Sequence, residues 1–378
     1  MNALARQLAL SVKRKPSIRT ERRNIVFRSP HDYRRCLRQL SAAGVRPIKK
    51  IDSLRMICCH ADRGDDWKSL SAHPRVSLVE RDHKVRAHGL QEASVYAAST
   101  QQSTFVKSRV PWNINRVKAP RIWPAAAFGN GVKVAILDTG IARHPDLDIA
   151  GGVNTITGKS YADDNGHGTH VAGIAAATGR GRIYGVAPKV KLYAVKVLDA
   201  SGSGFVSDIV EGIEWCLARG VRIMNMSFGL GGDSPLLRKA IQQARRRGAV
   251  IVASAGNFGA SFPLIEAPAR YPETIAVAAT TRSNRAASFS SRGNGISLSA
   301  PGVSIYSTWL NGTYRRESGT SMSAPHVTGA AALLRAIRPK LTATEVGIRL
   351  RKSALRIPGG KKAVGSGLLQ IEAAAHSL

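Results

Sequence analysis

Five short, continuously apolar runs constrain this chain more than anything else in it: residues 132–137, 192–197, 221–226, 249–255 and 274–279. Runs of that length read as strands, and apolar side chains at consecutive positions mean that both faces are covered. Apolar residues at helical spacing fill the gaps at 167–177, 206–219 and 236–247, and two more helical patterns follow at 321–337 and 343–350. Strand and helix in alternation predict an α/β fold, an open and mostly parallel sheet with helices on both faces. In such sheets functional groups gather at the carboxyl ends of the strands.

Four motifs fall at such ends or at a helix start. Asp138-Thr139-Gly140 closes one apolar run, Ser254-Ala255-Gly256-Asn257 closes another, and His167-Gly168-Thr169-His170 opens a helical pattern. Gly319-Thr320-Ser321-Met322-Ser323-Ala324-Pro325-His326 opens the last long one. A lone serine there would be an ordinary N-cap. The free amides and positive dipole end of a helix start also favour negative charge that develops when a nucleophile attacks. An acid, a histidine, an amide and a serine, each among glycine and alanine, are the parts of acyl-transfer chemistry.

With these motifs in this order, the chain resembles the subtilisin family of serine peptidases over nearly all of its length. The resemblance implies a serine endopeptidase of broad specificity that works through an acyl-enzyme on Ser321. His167 would take the serine proton and Asp138 would fix the imidazole tautomer, while the Asn257 amide and the Ser321 N–H would hold the oxyanion. Either His167 or His170 could be the base on chemistry alone; the family motif assigns the first, and His170, His144 and His326 read as structural. Met322 reads as apolar packing, or as an oxidation liability if exposed.

Ser201-Gly202-Ser203-Gly204 and Ser227-Phe228-Gly229 resemble the family's paired edges, which grip an extended peptide through its backbone. Glu266, two residues before Pro268, falls by motif alignment at the base of the pocket for the side chain preceding the cut. Facing the pocket it implies a preference for Lys or Arg; facing solvent it implies none. Catalysis requires no cofactor. The family's structural calcium loop corresponds here to Thr178-Gly179-Arg180-Gly181-Arg182-Ile183-Tyr184, whose arginines suit a hard dication poorly, so that site is expected to be lost or weakened, with Asp146 a possible ligand.

The first third has its own pattern. Residues 1–20 read as a basic arm, and 21–88 as a small α+β module. The module's strands fall near 25–27, 54–58 and 76–79, with a helix at 32–43 presenting Tyr33, Leu37 and Leu40 and a shorter one at 66–71. Its end, from His73 to His83, resembles the propeptide of secreted subtilisins, which assists folding and then inhibits by laying its tail through the active site. Residues 89–109, rich in Ser, Thr, Gln and Ala, read as an exposed linker that contains the processing region. The catalytic domain is then 110–378.

Expected partners are polypeptide substrates and the chain's own propeptide. Lys and Arg outnumber Asp and Glu by 56 to 24, which supports non-specific, salt-sensitive contact with polyanions but brings no nucleic-acid motif with it. Cys36, Cys58, Cys59 and Cys216 have no zinc spacing, and Cys58 and Cys59 would alternate across a strand. No run approaches the ~18 apolar residues of a membrane span. The first sixteen residues make a poor secretory signal, because Arg6 interrupts them and Lys13-Arg14-Lys15 follows. The propeptide resemblance points to secretion and the poor signal to the cytosol; a monomer is the default expectation. The competing readings are a silent binding protein on a peptidase fold and a nucleic-acid or envelope protein.

Overall fold

The computed structural model describes residue 12 and residues 17–88, 110–261 and 264–377. Strand β1 (Thr20–Phe27), a helix at Pro30–Ala42, β2 (Lys49–Ile51), β3 (Met56–Asp62), a short helix at Trp67–Ala72 and β4 (Val76–Arg81) form the N-terminal module. Its sheet is antiparallel, in the order β2-β3-β1-β4. Ser29 caps the first helix by accepting from the Asp32 amide, and Asp66 caps the second by accepting from Ser69. The first helix buries Tyr33, Cys36 and Leu40, whereas Leu37 is only half-buried. Two residues read as part of the basic arm belong to this sheet: Thr20 opens β1, and Val12 bridges to Ala61 with its side chain buried.

Alternation along the strands gives this sheet two apolar faces. Ile25, Phe27 and Cys59 pack under the module's own helices with Tyr33, Leu40 and Trp67. Val26, Met56 and Cys58 turn the other way and join the core of the large domain.

After β5 (Lys84–Ala87) comes the region read as a linker, which lies outside the described residues. A helix at Trp112–Arg116 opens the large domain, followed by β6 (Lys133–Asp138), β7 (Ile149–Asn154), a helix at His167–Ala176, and β8 (Lys191–Lys196). Next come β9 (Ser203–Phe205), a helix at Val206–Ala218, β10 (Ile223–Met226), β11 (Phe228–Gly229), a helix at Pro235–Arg246, and β12 (Val250–Ser254). Then follow β13 (Ile275–Thr280), β14 (Ile296–Pro301), the hairpin β15 (Ile305–Thr308) and β16 (Tyr314–Glu317), and a long helix at Thr320–Ile337.

Seven parallel strands in the order β14-β13-β12-β10-β6-β8-β7 make the main sheet, the α/β architecture that the alternating runs predict. On one face Val134 and Ile136 meet the His167–Ala176 and Thr320–Ile337 helices; on the other, Ala135 and Leu137 meet the Val206–Ala218 and Pro235–Arg246 helices. The two strands that the apolar runs miss, β7 and β14, are the edges. Glycines interrupt β7 and serines alternate through β14, because an edge strand need not be apolar on both faces.

Candidate active site

Asp138 ends β6 and is fully buried. Its Oδ1 accepts from the Thr139 amide at 2.8 Å and lies 2.6 Å from His167 Nδ1. His167 is the first residue of its helix, and the turn before it is tied by Asp163, whose carboxylate accepts from Thr139 Oγ1, the Gly166 amide, and both the amide and hydroxyl of Thr169. Burial alone would lower the His167 pKa, but the charge and hydrogen bond of Asp138 outweigh it, and the imidazole sits above its ordinary value. His167 Nε2 is buried and has no hydrogen-bond partner among the described residues.

Ser321 is the second residue of the Thr320–Ile337 helix, behind Gly319, whose backbone at φ 157° and ψ 163° suits glycine. The Ser321 hydroxyl donates to the Ser227 carbonyl at 3.1 Å, and the Ser227 hydroxyl donates in turn to the Ser321 carbonyl at 3.1 Å. Asn257 Oδ1 accepts from the amide and hydroxyl of Thr320, which turns the Asn257 Nδ2 end toward Gly319. A catalytic-type acid, imidazole, hydroxyl and amide are thus carried by the ends of two strands of the main sheet and the starts of two helices packed on it. Met322 is fully buried in the core.

The three histidines read as structural each contact backbone groups. His170 Nε2 faces the carbonyls of Ile305 and Arg315, and burial pulls its pKa down to about 3. His326 contacts Asn113 Nδ2 and the Met322 carbonyl, with burial lowering it to about 4. His144 contacts the Thr313 carbonyl and accepts from the Asp146 amide.

Strand β5 lies between β9 and β11, antiparallel to both. Val85 is opposite Gly204, Arg86 is opposite both Ser203 and Gly229, and Ala87 is opposite Phe228; the Ala87 amide donates to Gly202 at 2.8 Å. The next residue, His88, puts its imidazole into a pocket walled by Gly229 and Gly256 and floored by Glu266. Glu266 therefore faces the pocket rather than solvent, at 7% exposure. Ser254 Oγ lies beside the His88 imidazole; Ser254 belongs to a motif that the sequence marks, whereas nothing in the sequence marks His88, which the strand pairing brings here.

The Asp146 carboxylate accepts from the amides of Gly181, Arg182 and Ile183 at 2.6, 2.8 and 3.0 Å and from Tyr314 Oη at 2.7 Å. Burial would raise its pKa, but these donors hold it below the ordinary carboxylate range. Three amides and a hydroxyl occupy the carboxylate lone pairs, and the Arg182 guanidinium stacks on the Tyr314 ring, so this donor set does not fit calcium. Among the described residues no group of three His, Cys, Asp or Glu side chains could hold a metal ion.

A buried carboxylate–imidazole pair together with a serine at the start of a helix is the donor set of the serine hydrolases. The sequence model of Peptidase_S8, the subtilase family, matches residues 129–367. An alkaline protease of Alkalihalobacillus alcalophilus is 44% identical over 303 residues, covering 80% of this chain and 79% of that one. Subtilisin Savinase of Lederbergia lenta is 47% identical over 267 residues, 70% of this chain and 98% of its own. Subtilisin E of Bacillus subtilis (strain 168) is 42% identical over 315 residues, 82% and 78%. The chain belongs to the subtilase family and is a serine endopeptidase acting on peptide substrates. No helix among the described residues is long and apolar enough to cross a membrane.

Proposed function

We propose that Ser321 is the nucleophile, His167 the general base and then acid, and Asp138 the group that fixes the imidazole. The observation that carries this reading is the 2.6 Å contact of Asp138 Oδ1 with His167 Nδ1, beside an Nε2 left without a partner among the described residues. The Ser321 hydroxyl, now on the Ser227 carbonyl, turns to His167 Nε2 when a peptide carbonyl arrives. Asn257 Nδ2 and the Ser321 amide hold the oxyanion, each such donor supplying on the order of 3 kcal/mol.

The chain is made as a zymogen. Residues 21–88 are the propeptide and intramolecular inhibitor, 89–109 contain the processing region, and 110–378 are the mature enzyme. Support comes from β5, which fills the gap between β9 and β11 that a substrate would otherwise fill. Because that pairing reads backbone, specificity is broad, with a preference at the Glu266 pocket for Lys or Arg. The fold holds its Asp146 loop without calcium.

Intact mass of the wild-type chain beside Ser321→Ala tests this. Loss of an N-terminal fragment by the wild type alone is the expected outcome. A variant that is trimmed equally, or a wild type that neither shortens nor reacts with a fluorophosphonate probe, overturns it.

A further inference from the structure

His88 is the last described residue before the linker, and its side chain is only 6% exposed. Nδ1 lies 2.6 Å from Ser254 Oγ and Nε2 lies 2.6 Å from Glu266 Oε2. The Nε2 approach is a close contact rather than an aligned hydrogen bond. The His88 amide points at the Ser227 carbonyl at 3.4 Å, the same oxygen that the Ser321 hydroxyl contacts. Backbone and side chain of one residue are therefore registered against the nucleophile and the pocket floor together.

The pocket is full. A Cβ placed on Gly229 would lie 2.3 Å from His88 Nε2 and 2.5 Å from Glu266 Cδ, and one on Gly256 would lie 2.9 Å from Glu266 Oε2. An imidazole already reaches the floor, so histidine joins lysine and arginine among the side chains that this carboxylate can pair with. A carboxylate floor accepts and does not donate, which disfavours an acidic occupant and leaves an aliphatic one with a buried charge unpaired. The Ser254 hydroxyl can donate to a neutral Nδ1 or accept from a protonated one, so either form of histidine is accommodated.

We propose that Glu266 and Ser254 form a histidine-reading pocket, and that the chain's first processing cut is at the His88–Gly89 bond. This rests on the reading of the chain as a self-processing zymogen. Ser321 Oγ bonds to the His88 carbonyl carbon while its proton passes to His167 Nε2. The C–N bond then breaks as that proton moves to the Gly89 nitrogen. Water, giving a proton back through His167, hydrolyses the ester to a His88 carboxylate and restores Ser321. The linker, with Gly89 at its new N-terminus, is removed by later cuts.

Time-resolved N-terminal sequencing of the full-length wild type tests the bond. A first new terminus at Gly89 is expected. A first terminus elsewhere overturns the His88 assignment while leaving self-processing intact, and a chain that stays whole overturns both. His88→Asp should slow this cut by about tenfold or more, with Glu266→Gln in the same chain restoring most of the rate. A second measurement does not depend on those variants folding: matched peptides carrying His, Lys, Leu or Asp before the cut, offered to the mature wild-type enzyme. Histidine should lead leucine in kcat/KM by about tenfold, and equal or reversed rates overturn the pocket assignment.

Discussion

Glu80 lies in the N-terminal module and Ser234 at the start of a helix in the large domain, yet Glu80 Oε1 accepts from Ser234 Oγ at 2.7 Å. The other oxygen accepts from the Leu236 amide at 3.2 Å, so a carboxylate from one domain caps the Pro235–Arg246 helix of the other. Two residues on, Asp82 does the same for the Val206–Ala218 helix, accepting from the amide and hydroxyl of Ser207 at 2.9 and 2.8 Å while Arg22 Nε pairs with it at 2.9 Å. Two carboxyl groups are set against two helix starts, a geometry that orients the module as well as holding it.

Burial pushes the Glu80 carboxyl up to about 7, against the pull of Ser234 and Leu236. A docked value above the free one means that the docked module binds the proton more tightly. Docking is then strongest below the free glutamate range near ~4.3, weakens as pH rises to about 7, and is level above it. In the Ser321→Ala chain, melting temperature should fall across that window, and Glu80→Gln should remove most of the slope. An unchanged slope in the variant would refute this account.

The His167 imidazole must be neutral to act, and Asp138 raises its pKa. Activity of the mature enzyme should therefore fall as pH drops through a value above 6.5, the ordinary histidine value. Asp138→Asn should shift that acidic limb to lower pH and cut kcat by about 10⁴. A limb that stays put would remove Asp138 from its role.

Asp146 holds the 178–184 loop through three backbone amides and is itself held by the Tyr314 hydroxyl. EDTA should leave the melting temperature unchanged, and Tyr314→Phe should cost about 1–3 kcal/mol whether or not calcium is added. A large drop on chelation, or calcium rescue of the variant, would contradict the loop's independence.

Gly329 lets the serine-bearing helix lie against Val186; a Cβ there would be 2.5 Å from the Val186 Cβ. Gly329→Ala should destabilise by about 1–3 kcal/mol through overpacking. Thermal melts would show it, and a neutral result would mean that the helix shifts freely.

The interior of the sheet was legible because consecutive apolar residues at Val134-Ala135-Ile136-Leu137 leave little choice but a strand covered on both faces. Asp138, His167 and Ser321 stood out through their motifs at element ends, and the choice of His167 over His170 came only from the family resemblance. β5 was not: Lys84-Val85-Arg86-Ala87 puts charge at every second place, and what makes it a strand is the pair of edges beside it. The company of His88 depends on that pairing too, so no local pattern announces it. For Asp146 the arginines hinted at a changed loop, but the amides that satisfy it belong to a backbone path that residue identities do not specify.

When β5 departs, β9 and β11 face each other across two strand spacings, about 9.5 Å, with both rows of peptide groups unpaired. Any extended segment completes the sheet, and in a concentrated preparation the nearest one is a loop of a neighbouring molecule. Autolysis is thus built into the vacancy: its rate should climb with the square of enzyme concentration, and storage life is set by how long something else occupies the middle strand.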